Sequence, residues 1–189
     1  KLTVSEIKKQ ERRRKPPAPY ITSKLQQDAA NRLGFTSKKT MMVAQQLYEG
    51  INLTGSGPVG LITYMRTDST RISENALQMA RSYISDNFKP EFLPPAPNIY
   101  KVKKSAQDAH EAIRPSDVLR TPDSIKGDLS RDQFRLYDLI WRRFVASQMT
   151  PEVAETVTVI LDCGDYSFRA TGNRVIFAGF TEVEKQSKT

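Results

Sequence analysis

Apolar positions recur at helical spacing in four stretches of the chain. In residues 22–33, Leu25, Ala29 and Leu33 share a face, Thr22 or Ser23 can cap the start, and Gly34 supplies a stop. Ser37 can cap a second helix running to Gly50, with Met41, Ala44 and Tyr48 on one face and Val43 and Leu47 beside them. Ser73 can cap a third helix through residue 88, with Glu74 well placed in its first turn. A long helix begins near Ser130, where Ser130 and Gln133 form a capping box. Its Phe134, Tyr137, Trp141, Phe144 and Val145 make a broad apolar face, a packing surface and not a base-stacking platform.

Elsewhere the period is two. Val59–Met65 reads as a short strand, and after Pro151 the sequence alternates, with Val157, Val159 and Leu161 on one face. Residues 162–165 (DCGD) turn the chain, and 166–172 and 174–180 read as further strands. Pro16–Tyr20 and the proline-rich 90–97 interrupt both patterns. The expected class is α+β, mainly α: a helical unit flanked by a smaller antiparallel β unit. The two helices joined through Gly34, Phe35 and Thr36 fit a helix-turn-helix of the DNA-binding kind or an ordinary helical hairpin.

Charge adds a partner class. The 189 residues carry a formal net charge of +8, which favours a polyanion. Residues 1–66 hold 12 Lys and Arg against 4 Asp and Glu, whereas 67–189 hold 17 of each. The excess therefore lies at or before Arg66. A solvated basic arm over Lys8–Lys15 would give the same count. Cys163 is the single cysteine, so no disulfide within the chain and no cysteine-rich zinc site can form, which fits a reducing compartment. No signal-peptide pattern and no apolar run near the ~18 residues of a membrane span occurs. The chain starts at Lys1 without methionine and reads as an excised piece of something longer.

Two clusters carry chemistry. In GLITYMRTDSTRIS, residues 60–73, an extended backbone puts Tyr64, Arg66 and Asp68 on one face. A phenol, with a pKa of about 10 in water, is a weak nucleophile at neutral pH; an adjacent guanidinium favours the phenolate and neutralises a phosphate. Thr67, Ser69 and Thr70 add hydroxyl donors suited to phosphate oxygens. A cross-strand tyrosine beside a surface Arg–Asp pair has the same pattern. The second cluster, DAHEAIRPSD at 108–117, holds the only histidine, His110, with Arg114 four places on. On a short helix ending at Arg114 the two share a face and could clamp a phosphate; a hydrogen-bonded structural histidine is the alternative. The glycine-rich 52–60 is no phosphate-binding loop, because no Lys-Ser/Thr follows it.

GLITYMRTDSTRIS resembles the nucleophile motif of bacterial type IA DNA topoisomerases, and DAHEAIRPSD their second signature. PPAPYITSKLQQDAANRLGF, KKTMMVAQQLYEG and LIWRRFVASQMTP fit the same family in the same order, covering nearly the whole chain. Met65 points to the topoisomerase I branch, since the topoisomerase III branch usually has proline there. The resemblance implies that Tyr64 is the nucleophile forming a 5′-phosphotyrosyl ester and that Arg66 contacts the scissile phosphate. It places Asp68 and His110 in the active-site polar network and Arg114 on the DNA, with no metal ligand in this chain.

The same resemblance implies a helical tyrosine domain of winged-helix character at 17–149, with arch-domain strands at 1–16 and 150–189. The family's Mg²⁺-binding toprim domain has no match here, nor does any D-x-D-x-E, so the Mg²⁺ ligands are expected elsewhere in the polypeptide. The implied activity is ATP-independent relaxation of negatively supercoiled DNA by single-strand cleavage, strand passage and religation, in the cytoplasm and on the nucleoid. Two readings stay beside it: the topoisomerase part of a reverse gyrase, and a single-stranded DNA-binding module without chemistry of its own.

Overall fold

The computed structural model describes residues 1–101 and 110–185. Helical and extended segments separate into two units, as the two hydrophobic periods require. The helical unit contains α1 (Thr22–Asp28), continued by a π-helical turn (Ala29–Leu33), then α2 (Ser37–Glu49), α3 (Glu74–Asn87), the single turn α4 (Pro122–Ile125) and α5 (Arg131–Ser147). A small hairpin, β2 (Ile51–Leu53) with β3 (Gly57–Val59), follows α2. The second unit is a three-stranded antiparallel sheet in the order β1 (Thr3–Arg14), β4 (Glu152–Cys163), β5 (Tyr166–Phe177). The chain thus has the mixed helix-and-antiparallel-sheet class expected of it.

Helix α5 is the spine of the core. Leu136, Tyr137, Ile140, Trp141, Phe144 and Val145 are buried along it, against Leu25 and Ala29 of the first helical segment and Val43, Ala44 and Leu47 of α2. The polar atoms of its aromatics are satisfied: Trp141 Nε1 donates to the Val118 carbonyl at 2.9 Å, and the Tyr137 hydroxyl to that of Arg120. The capping box at Ser130 and Gln133 is present in both directions, and Ser73 caps α3 by accepting from the Ala76 amide.

The sheet is held by its ladder more than by a core. Every residue of β1 is exposed, and β4 is half-buried along its length. Register places Ile7 opposite Val159 and Val159 opposite Ala170, and puts Val4 and Phe168 on either side of Leu161. Val159 and Leu161 therefore have apolar neighbours on both sides, whereas Val157 lies between Lys9 and Gly172. The chain then returns to the helices. Gly179, at φ 52°, turns against Pro151 so closely that a Cβ would lie 2.3 Å from its carbonyl oxygen. Beyond it Phe180 and Val183, the latter on α6 (Thr181–Lys185), enter the helical core.

Several local expectations are corrected. Residue 21, not Thr22 or Ser23, holds the N-cap position of α1, and no side chain caps it, because the Thr22 hydroxyl is engaged elsewhere. Thr36, not Ser37, caps α2. The strand expected at Val59–Met65 stops at Val59, and residues 60–73 run outside any ladder apart from one bridge at Ile62. The two strands expected at 166–172 and 174–180 are one strand ending at Phe177. Of the short helix expected at 108–114, Asp108 and Ala109 lie outside the described residues, and 110–114 is not helical. Its backbone donors go to distant partners: Ala112 N–H to the Arg71 carbonyl and Ile113 N–H to that of Tyr20.

Candidate active site around Tyr64

The segment carrying Tyr64 is fixed from one side. Leu61 and Ile62 are buried, and the Leu61 amide donates to the Leu47 carbonyl at the end of α2 (2.8 Å). Gly60 passes so near α2 that a Cβ would sit 2.9 Å from the Tyr48 carbonyl oxygen. Residues 112–116 run antiparallel alongside. Ile62 bridges Pro115, the Thr63 amide donates to the Arg114 carbonyl (2.9 Å), and the Ser116 amide to that of Leu61 (2.9 Å). The Thr63 hydroxyl donates to the Ala112 carbonyl at 2.7 Å and accepts from the Arg114 amide at 2.9 Å. The two sequence clusters, far apart along the chain, are thereby brought side by side.

Further along, Thr22 acts as a clamp. Its Oγ1 lies 2.7 Å from the Met65 carbonyl and 3.1 Å from that of Thr67, and accepts from the Thr67 amide at 2.9 Å. The Thr22 amide donates back to the Thr67 carbonyl (3.0 Å). The result is an alternation without a strand partner. Met65 and Ser69 are buried and Thr67 half-buried, while Tyr64, Arg66 and Asp68 are exposed.

On that outer face the Tyr64 ring is 43% exposed. Its neighbour is Tyr48, itself 40% exposed, edge-on with ring centroids 5.3 Å apart and planes at 64°. Among the described residues neither Arg66 nor Asp68 is held by an ion pair. His110 is exposed at the near end of 110–116.

The other expected contacts are drawn inward. Arg114 is only partly exposed and makes a close ion pair with Glu111 through Nε (2.9 Å) and Nη2 (2.6 Å), and Nη1 donates to the Pro115 carbonyl. The Thr67 hydroxyl accepts from the Ser69 amide (3.1 Å), and the Ser69 hydroxyl from the Arg71 amide (3.2 Å). Thr70 reaches the Lys101 carbonyl at 3.4 Å. These hydroxyls shape the turn after the motif in this structure. Sequence reasoning missed Tyr48, read as one more residue on an apolar helix face, and Thr22, read as a cap. Glu111 had a signal, standing three residues before Arg114.

Among the described residues no group of three His, Cys, Asp or Glu side chains could hold a metal ion.

Comparison with known proteins gives the family of the chain. The pattern of the family described as DNA topoisomerase matches residues 1–189, the whole chain. A DNA topoisomerase 1 from Xylella fastidiosa is 48% identical over 190 residues, covering all of this chain and 23% of that protein. The solved structure of full-length topoisomerase I from Thermotoga maritima matches with a TM-score of 0.85 at 44% identity. That match covers 97% of this chain and 29% of the other. The chain spans less than a third of the length of these relatives.

Proposed function

This chain belongs to the DNA topoisomerase family, and we propose that it is the nucleophile-bearing part of a type IA topoisomerase I. In this reading the whole enzyme relaxes negatively supercoiled DNA by cutting one strand, passing another through the gap and resealing. The observation that supports it most is the outer face of residues 64–68. There Tyr64 and Arg66 are exposed two residues apart, Arg66 with no ion pair among the described residues, on a backbone pinned from behind by Thr22, by the Thr63–Ala112 bond and by α2.

The Tyr64 oxygen attacks the phosphorus of a single-stranded segment. The new Tyr64 O–P bond replaces the P–O3′ bond, the phenol loses its proton, and the departing 3′ oxygen gains one. Arg66 neutralises the charge that builds on the non-bridging oxygens. An ester is exchanged for an ester, so the reverse attack by the 3′ hydroxyl reseals the strand without ATP. Asp68 and His110 complete the polar network, and Arg114, braced by Glu111, supports the approach of the strand. Thr67, Ser69 and Thr70 are assigned to DNA contact in this reading, although here their hydroxyls are engaged with the backbone.

Residues 17–149 form the tyrosine domain in this reading, and 1–16 with 150–189 contribute strands to an arch. Mg²⁺, if bound by a toprim domain elsewhere in the polypeptide, would add positive charge near the DNA backbone, and no residue of this chain is assigned to hold it. The setting in this reading is the cytoplasm and the nucleoid, where the DNA substrate lies.

The test uses the full-length polypeptide. Tyr64→Phe keeps the ring and its contact with Tyr48, so the fold survives and covalent adduct formation disappears. Arg66→Lys keeps the charge but loses the planar fork, and single-turnover cleavage slows by roughly two to three orders of magnitude with little change in DNA affinity. A covalent adduct with Tyr64→Phe would refute the assignment of the nucleophile.

A further inference from the structure

A cleft of about 450 Å³ lies along α5, away from the motif: none of its lining residues belongs to 60–73 or 110–116. Its walls come from the π-helical turn, the α4 region, α5 and α6. Six cationic side chains face it: Arg32, Lys126, Arg131, Arg135, Arg142 and Arg143. Three carboxylates oppose them, Asp123, Asp138 and Glu184, and Asp138 is already taken by Arg142 at 2.8 Å. Arg143 is committed to Asp28 and to the Ala18 carbonyl. The cleft therefore keeps an excess of positive charge over a partly apolar floor of Leu33, Phe134 and Leu139, which strengthens its field.

The remaining cations are set for an incoming anion. Arg135 is half-buried, its guanidinium 5.4 Å from the centre of the Phe35 ring, with Nη2 donating to the Leu33 carbonyl at 3.1 Å. Stacking and one carbonyl fix the plane of the fork and leave its other donors over. Lys126 rests 4.9 Å from the centre of the Phe134 ring. Arg32 and Arg131 stand exposed at the rim, and among the described residues neither is in an ion pair.

We propose that this cleft along α5 is a second contact for DNA, taking backbone phosphates of a strand apart from the segment held at Tyr64. The proposal rests on the reading of the chain as part of a DNA-processing enzyme and adds to it a site formed by Arg32, Lys126, Arg131 and Arg135. A polyanion suits the arrangement, because the cations come from three separate segments, the π-helical turn, the residues after α4 and the first turns of α5, and outnumber the carboxylates.

The experiment compares the full-length protein with the triple variant Arg32→Gln, Lys126→Gln, Arg131→Gln, all three exposed positions. Anisotropy of a labelled single-stranded oligonucleotide is measured across a salt series. Removing one phosphate contact flattens the dependence of log affinity on log salt by about 0.7, so a decrease of about 2 is expected. The charge-keeping variant Arg32→Lys, Arg131→Lys should retain the steeper slope, which a fold defect would not allow. Sodium phosphate against sodium chloride at equal ionic strength separates a strand from a free anion. Saturable displacement by phosphate alone, with the oligonucleotide slope unchanged by the triple variant, would make the cleft a small-anion site and overturn the proposal. An unchanged slope and affinity would overturn it too. Covalent adduct formation through Tyr64, assayed on the same variants, reports on the cleavage reading independently.

Discussion

Replacing Thr22 by valine should loosen the Tyr64 segment. Valine keeps the branched shape and removes only the hydroxyl. In the structure that hydroxyl donates to the Met65 carbonyl at 2.7 Å and accepts from the Thr67 amide at 2.9 Å. The Thr67 carbonyl keeps the Thr22 amide as its donor, so it is not orphaned. The variant forfeits one donated bond, about 1 kcal/mol net, and an acceptor for a half-buried amide, about 1–3 kcal/mol more. Partial access of water lowers the second figure, so the expected cost is about 2 kcal/mol. For a chain of this size that is a drop of about 4–8 °C in Tm.

The site should respond more sharply than the fold. Hydrogen exchange at the Thr67 amide should accelerate in Thr22→Val while amides of α5 change only with global stability. Cleavage by the full-length protein should fall, because Tyr64 and Arg66 flank the unclamped Met65. Thr22→Ser restores the hydroxyl and should recover most of both. An unchanged denaturation midpoint together with unchanged exchange at Thr67 would refute the clamp.

Three other outcomes are expected. Tyr48→Ala should lower single-turnover cleavage by roughly 3- to 10-fold, the worth of one edge-on ring contact, whereas Tyr48→Phe should stay near the unmodified rate. Gly60→Ala, whose Cβ would meet the Tyr48 carbonyl at 2.9 Å, should cost about 1–3 kcal/mol in denaturant unfolding. Burial pushes the phenols of Tyr20 and Tyr137 well above the usual value, and that of Tyr100 up to about 12. The unfolded phenols lose protons from about pH 10 upward while the folded ones keep theirs. Stability present below about pH 10 should therefore fall by about 1.4 kcal/mol per pH unit for each of Tyr20 and Tyr137, followed by circular dichroism against pH.

What the sequence made legible was local. Ser73 and Ser130 cap as their spacing requires, α5 buries the face its aromatics mark, and β4 is a strand where the alternation placed one, although it is evenly half-buried along its length. Where distant chain segments compete for the same atoms, local signals fail. Thr22 is a good N-cap residue by type, yet its hydroxyl is used on residues Met65 and Thr67, far along the chain. Residues 110–114 look helical, yet their amides pair with Arg71, Tyr20 and Thr63. In the Tyr64 motif the period of two was visible, and the exposure of positions 64, 66 and 68 follows it. The clamp that keeps the segment extended without a ladder was not visible, because it needs Thr22 and residues 112–116 in place.

That clamp also lets the proposed nucleophile, Tyr64, be both ordered and open. A tyrosine in a ladder would have neighbours on both sides, and a tyrosine on a free loop would pay the entropy of orientation at each turnover. Here the backbone of 60–69 is bonded on its inner side to α2, to Thr22 and to residues 112–116, and its inward side chains Met65 and Ser69 are buried. The outward side chains inherit that order, with Tyr64 steadied by the edge of Tyr48 and Arg66 held by no ion pair among the described residues. A strand laid across this face meets a fixed phenol position and a guanidinium with donors to spare. Loosening the clamp should therefore affect the rate of ester formation more than the affinity for DNA, since phosphate contacts along a strand tolerate a displaced tyrosine and in-line attack does not.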